Sequence, residues 1–308
     1  MNYHTSVLLE QSVDLLNIRN NAVYVDATFG GGGHSREILK RMKNGRLIAI
    51  DQDADAHKNV IDDDRFELHR GNFRFIKNYL RFTNALPVDG ILADFGLSSH
   101  QIDEAERGFS FSKDADLDMR MNRNASRSAI DILNDAEIDE LVKIFRDFGE
   151  VNNAYQLSQA IIKARGNARI CTTSDLQKIA AKFARPGKEN KFLAKVFQAL
   201  RIEVNDEMGA LREFLNRSFE SLKENGRLVL ISYHSLEDRM VKDFFREEIQ
   251  TNSVEHQLMG HRTTKWNVIT RKPLVPDEAE QEKNPRSRSA KLRAAEKAIP
   301  QEKGGRRD

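Results

Sequence analysis

The sequence predicts an α/β fold, an open and mainly parallel sheet interrupted by an all-helical segment. Three observations carry this. Residues 23–42 read as strand, glycine turn and helix; several short apolar runs end in a carboxylate or a glycine turn; and from Ser128 to Leu222 apolar residues recur at helical spacing. In the opening unit, Val23-Tyr24-Val25-Asp26 is a buried strand, and Gly30-Gly31-Gly32-Gly33 lets backbone approach a ligand. Ser35 to Met42 then forms a helix whose N-terminus offers N–H groups.

The remaining elements follow in order. Val7 to Val13, just after His4, reads as a short helix capping the sheet. Arg46 to Asp51 is a second strand ending in a carboxylate. A carboxylate about 20 residues past the glycine turn can accept hydrogen bonds from ribose hydroxyls. That need is common to NAD and S-adenosylmethionine (SAM), and a helix N-cap is the competing role for Asp51. The dinucleotide fingerprint needs a third glycine, but Gly30-x-Gly32 runs on to Ser35. With Asp26 inside strand one, the arrangement resembles the first motif of SAM-dependent methyltransferases. Phe66 to His69 is a third strand. Phe73 opens the next helix and either flanks an adenine ring or joins the core. Val88 to Phe95 is a fourth strand with Asp94 near its end, and strand ends of this kind border the ligand crevice of an open α/β sheet.

Gly96 to Met121 breaks the rhythm. It is long and irregular, yet it carries Phe109, Phe111, Leu117 and Met119, which predicts an ordered active-site loop. In the helical stretch, Ile138, Leu141, Val142, Phe145 and Phe148 share one face, and Thr173 or Ser174 caps a later helix. Gly226 to Tyr233 resumes the sheet. Ser235-Leu236-Glu237-Asp238 resembles a capping box, and Trp266 to Thr270 fits a late strand of an antiparallel hairpin. From Glu278 onward the composition is that of a solvated tail. The expected division is 1–112 and 196–283 as two parts of the sheet domain, 113–195 as a helical insertion for substrate recognition, and 284–308 as a basic tail.

Composition narrows the function. Among 308 residues, 31% are charged but the net charge is only +2, so no global field marks a nucleic-acid binder. One cysteine, Cys171, excludes an internal disulfide and a cysteine-based zinc cluster. No apolar run has membrane-spanning length and the N-terminus lacks a signal-peptide core, so a soluble cytoplasmic protein without a membrane partner is expected. No His and carboxylate cluster has metal-ligand spacing, so no catalytic metal is expected. The sequence fits a monomer or a homodimer alike.

Together these motifs resemble the bacterial 16S ribosomal RNA cytosine-N4 methyltransferases, the RsmH/MraW family. The resemblance runs through His4–Glu10, Asp26–Ser35, Gly90–Ser99, Arg107–Phe111, Leu117–Met121, Phe197–Asn205, Ser232–Arg239 and Asn284–Arg293. It implies a Rossmann-like SAM-dependent methyltransferase sheet with an inserted helical domain, acting on a cytidine in the decoding region of 16S rRNA in the small ribosomal subunit. By matching positions, the SAM contacts fall on Gly32, Gly33, His34, Asp51, Phe73, Asp94 and Gln101. Ser6 stands where that family usually has proline, and Ala115-Asp116 where it usually has Gly-Pro; both departures bear on local loop shape.

Methyl transfer from a sulfonium mainly requires donor and acceptor to be held in line. The cytosine N4 lone pair is delocalised into the ring, so a group accepting one of its N–H bonds would help. Asp94 is the first candidate for that role and His234 the second, with helix capping as the competing role for His234. Methylation at C5 would need a thiolate, and Cys171 lies away from every sheet-end motif. Phe109, Arg120, Arg286, Arg288 and Lys291 are the candidate RNA contacts. A dinucleotide oxidoreductase would share the glycine turn but lacks the third glycine. A non-catalytic RNA-binding protein would explain the tail and leave the crevice without a role.

Overall fold

The computed structural model describes residues 6–96, 107–247 and 264–299, which fall into two compact units, Met1–Gly96 with Ala210–Asp308, and Leu97–Gly209. The first unit contains α1 (Leu9–Leu16), β1 (Ala22–Asp26), α2 (Gly33–Arg41), β2 (Gly45–Asp51), β3 (Phe66–Arg70), α3 (Ile76–Phe82) and β4 (Val88–Asp94). The second holds α4 (Ala129–Asp135), α5 (Ile138–Asp147), α6 (Ala154–Arg165), α7 (Thr173–Ala180) and α8 (Glu189–Asn205). Helix α9 (Glu207–Ser221) leads back to β5 (Leu222–Ser232), α10 (Ser235–Phe244), β6 (Trp266–Val268), α11 (Glu278–Lys283) and β7 (Lys291–Lys297).

Among the described residues the sheet has seven strands, in the order β3-β2-β1-β4-β5-β7-β6. The first five are parallel, and β7 runs antiparallel to both of its neighbours. Parallel strands are covered on both faces, which is why β2 and β4 read as near-continuous apolar runs. Leu47, Ile48, Ile50, Ile91 and Leu92 are fully buried, and each such side chain contributes roughly 1.5–3 kcal/mol. Helices α1 and α2 cover one face through Val13, Leu16, Ile38 and Leu39, packed on Tyr24, Leu92, Ile231, Leu292 and Ala294.

The C-terminal segment departs from the solvated tail expected of it. Residues Lys291–Lys297 form β7, paired with β5 from Arg227↔Glu296 to Ser232↔Lys291. Leu292, Ala294 and Ala295 are buried, and Arg293 is 7% exposed. Its charge is met by Asp238 on α10, whose Oδ1 accepts from Arg293 Nε at 2.6 Å while Oδ2 accepts from Lys291 Nζ at 3.1 Å. The late strand itself is shorter than expected, Trp266–Val268, but does lie in an antiparallel pair.

Two helix caps fall one residue or more ahead of their expected positions. Thr172, rather than Thr173 or Ser174, caps α7 through a box with Asp175, and His234, rather than Ser235, caps α10 through a box with Glu237.

The helical unit spans Leu97–Gly209, wider than the expected 113–195. The reason lies in its core. Phe109 and Phe111, ahead of residue 113, and Val196, Phe197 and Leu200, beyond 195, pack in one cluster with the fully buried Leu117, Met119, Leu133, Leu141, Phe145, Leu157 and Leu176. Asn205, at the end of α8, pins the irregular segment by accepting from Met121 N at 2.7 Å and donating to Met119 O at 2.8 Å.

Candidate active site

The strand order of the parallel sheet reverses between β1 and β4, with β2 and β3 on one side and β4 and β5 on the other. At such a switch point the loops leave in opposite directions and open a crevice outside the C-terminal strand ends. Here those ends carry the glycine turn after β1, Asp51 on β2, Asp94 on β4 and Tyr233 after β5.

A chain of hydrogen bonds ties these ends together. Asp26, fully buried, accepts from Ser35 Oγ at 2.6 Å and from Thr28 N at 3.2 Å. The Thr28 hydroxyl in turn accepts from Asp94 N at 2.7 Å. Burial pushes the Asp26 carboxyl above its ordinary value, against the pull of His34 and of the Ser35 and Thr28 donors. The glycine turn, the start of α2 and the end of β4 are therefore set by one buried network.

Asp51 faces the turn. Its Oδ2 accepts from Gly30 N at 2.7 Å and its Oδ1 from Asp53 N at 2.8 Å. Burial pushes its carboxyl up to about 6, against those two N–H groups and with help from the charges of Asp53 and Asp26. The unfolded carboxyl, near its ordinary 3.8, would ionise first, so stability falls as pH rises between that value and about 6. Holding Asp51 ionised at neutral pH thus costs on the order of 3 kcal/mol.

The residues present fit a nucleoside cofactor. Gly30 has a φ of +52°, and a Cβ built on Gly30 or Gly31 meets nothing within 4 Å, so space lies open over the turn beside Asp51. Each Asp51 oxygen retains lone-pair capacity beyond its one backbone donor. Phe73 lies 5.7 Å from Phe95 and 5.3 Å from Phe214, centroid to centroid, and is half-buried, so it serves the core and still presents surface. Gly32 is left-handed ahead of α2, and a Cβ on Gly33 would collide with the Ser6 hydroxyl. His34 is 5% exposed with Nε2 3.2 Å from Val7 O, which holds the segment before α1 against α2. Gln101 lies outside the described residues.

Asp94 keeps some solvent access. Its Oδ1 accepts from Gly96 N at 3.1 Å and its Oδ2 from Tyr233 Oη at 3.3 Å. Burial pushes its carboxyl up, opposed by His34, Gly96 and Tyr233. His234 is the capping residue of α10. Its Nδ1 accepts from Glu237 N at 3.4 Å, so the proton of the neutral ring belongs on Nε2, 3.1 Å from Glu237 Oε1. In that tautomer Nε2 has no lone pair to offer an amine N–H, which favours Asp94 for the role.

The candidate RNA contacts divide. Arg286 and Arg288 are exposed in the turn Pro285–Ser289 that precedes β7. Because Ser232 pairs with Lys291, that turn lies at the same sheet edge as Asp94 and Tyr233. Lys291 is committed to Asp238. Arg120 is engaged within the helical unit, forked onto both Asp118 oxygens at 2.7 Å and donating to Ala125 O. Phe109 packs under Arg107, whose guanidinium stands 5.2 Å from the ring centroid. Tyr233 and Thr28 stand in the quoted motifs but carry no role there, because their partners are far away in sequence.

A strand-reversal crevice bordered by a glycine turn and by two strand-end carboxylates, Asp51 and Asp94, is the kind of site an α/β methyltransferase uses. The family model for the MraW methylase family matches residues 1–298, and the chain belongs to that family. Ribosomal RNA small subunit methyltransferase H of Bacteroides thetaiotaomicron is 51% identical over 298 residues, covering 96% of this chain and 98% of that one. The protein of the same name from Cytophaga hutchinsonii is 50% identical over 297 residues, covering 96% and 99%. Among solved structures, an rRNA methylase from Streptococcus thermophilus is 11% identical with a TM-score of 0.42, covering 96% of this chain and 99% of that one. No helix among the described residues is long and apolar enough to cross a membrane.

Proposed function

We propose that this chain methylates the exocyclic N4 of a cytidine in the decoding region of 16S rRNA, within the small ribosomal subunit and in the cytoplasm, using SAM. The observation that carries the reading is the meeting of Asp51, the open glycine turn and Asp94 at one switch point. The names of the relatives support an rRNA substrate in the small subunit. When bound, SAM supplies a methyl group on a sulfonium, open to direct displacement. Asp51 takes the ribose hydroxyls, Gly32, Gly33 and the start of α2 frame the turn, and Phe73 flanks the adenine. Asp94 accepts an N–H of the acceptor amine, which localises the N4 lone pair and provides a place for the proton released on methylation. The target base must leave its stack to reach this edge.

Incubating the protein with labelled SAM and purified small subunits, then mapping the modified nucleotide, tests the reading. Label on N4 of one decoding-region cytidine is expected, and label at C5 or on a purine would reject it.

Asp51 gives a pH-dependent prediction. Ribose hydroxyls donate to the ionised carboxylate, so SAM affinity is expected to weaken as pH falls through about 6, by up to about tenfold per unit. Asp51→Ala removes charge-assisted hydrogen bonds of about 1.5–3 kcal/mol each, so affinity at neutral pH drops at least about tenfold and the pH dependence flattens. Calorimetry on the folded mutant showing wild-type affinity would remove Asp51 from the site.

Exposed in the turn ahead of β7, Arg286 and Arg288 would neutralise phosphates beside the crevice. Replacing both by Gln should weaken RNA binding and flatten its dependence on log salt concentration by about one to two units, with SAM affinity unchanged. A salt slope equal to wild type on the same RNA would leave them as surface residues only.

A further inference from the structure

Tyr233 stands at a strand end beside the crevice, and the reading above gives it no role. It follows β5, and its hydroxyl donates to Asp94 Oδ2 at 3.3 Å across 139 residues of sequence. Its ring lies flush on the backbone at Gly96, where a Cβ would come within 2.7 Å of Tyr233 Cε2 and 2.9 Å of Cζ. Gly96 also donates its N–H to the other Asp94 oxygen at 3.1 Å. The Asp94 carboxylate is thus gripped at both oxygens, one donor from its own turn and one from the neighbouring strand end. Its backbone N–H is fixed by Thr28.

We propose that Tyr233 is the positioning residue for Asp94. Wedged against Gly96, it turns the carboxylate so that the remaining lone pairs face the acceptor amine. The inference rests on the reading of Asp94 as the group that accepts the amine N–H. A carboxylate free to rotate about its Cβ–Cγ bond would present the right lone pair only part of the time, and catalysis of this kind depends on groups already aimed. Burial, together with Asp94, pushes the phenol well above its ordinary value, so Tyr233 stays a neutral donor at every working pH. Among the described residues, the charged or titratable groups acting on Asp94 include Asp26 on β1, His34 on α2 and Tyr233 itself, with Glu237 and Glu280 acting on the tyrosine.

Tyr233→Phe keeps the ring against Gly96 and deletes only the donor. Single-turnover methylation at saturating SAM and RNA is expected to slow about tenfold, with SAM affinity and the RNA KM within about twofold of wild type. A carboxylate that loses a donor holds its charge less well, so the acid limb of the pH–rate profile should move to higher pH. The same upward move should appear without either substrate, in the carbon-13 carboxyl titration of Asp94, assigned from the signal lost in Asp94→Asn. Gly96→Ala, which displaces the ring but retains the hydroxyl, should reproduce the slower rate. A wild-type titration and acid limb in Tyr233→Phe, with Asp94→Asn inactive, would overturn the inference alone, as would a loss confined to the RNA KM. Full single-turnover activity in Asp94→Asn would instead remove the reading of Asp94, and this inference with it.

Discussion

Replacing Asp94 by asparagine is expected to lower the single-turnover rate of methyl transfer by about a hundredfold or more at neutral pH, in line with the loss of a positioned proton acceptor. The amide keeps the shape of the side chain, and its oxygen can still accept from Gly96 N or from Tyr233. What it loses is the charge that draws an amine N–H and the basicity to keep the proton. SAM affinity should fall much less, because the ribose is assigned to Asp51. The sign of the pH effect follows from the surroundings of Asp94. Burial raises its carboxyl above its ordinary value, so the wild-type rate should decline on acidification before simple surface carboxylates titrate. Asp94→Asn should have no such limb, and the gap between the two proteins should narrow as pH falls. Stopped-quench measurements with preloaded SAM check both features. Equal losses of rate and SAM affinity would make Asp94 a cofactor contact only.

Much of this site is legible in the sequence because its parts are local. The glycine turn follows its strand directly, Asp51 and Asp94 stand at the ends of apolar runs, and sheet geometry brings such ends to one edge. What the sequence does not reveal is any pairing that spans the chain. The partner of the Tyr233 hydroxyl is 139 residues away and that of Arg293 is 55 residues away. Strand β7 shows why this matters. Lys-Leu-Arg-Ala-Ala-Glu-Lys has one large apolar residue and four charged ones, which by composition reads as solvated. It is buried because Leu292 and Ala294 enter the layer beneath α1, and because a carboxylate on α10 meets the arginine between them. For α10 the sequence offers two caps, Ser235 at the head of its box and His234 in its competing role. Ser235 has the better capping chemistry, yet Glu237 reaches back to the backbone N–H groups of Tyr233 and His234, which fixes the helix start one residue earlier.

The Asp238 contact therefore gives the largest expected change in stability. In Asp238→Ala, Arg293 is left with its guanidinium in a site where the side chain is only 9% exposed. Removing one partner of a buried ion pair typically costs about 3–5 kcal/mol, because the remaining charge is uncompensated. Lys291, 40% exposed at its side chain, can turn to water and should add little. Burial by itself would raise the Asp238 carboxyl, but Arg293 and Lys291 together hold it below its ordinary value. A carboxyl depressed in this way stabilises the fold above its unfolded pKa and loses that contribution as pH falls through the folded one. The wild-type advantage over the mutant should therefore shrink in acid. Trp266, the sole tryptophan, is 1% exposed on β6 beside β7, so its fluorescence reports this edge of the sheet during urea unfolding. The midpoint of that transition should fall sharply in Asp238→Ala and stay near wild type when Arg286 and Arg288 are replaced. Combining Asp238→Leu with Arg293→Met should restore much of the loss, since an apolar pair can replace a buried ion pair at little cost. A loss below about 1 kcal/mol in Asp238→Ala would mean that Arg293 finds solvent, and that the antiparallel edge is held by strand pairing and its small buried side chains alone.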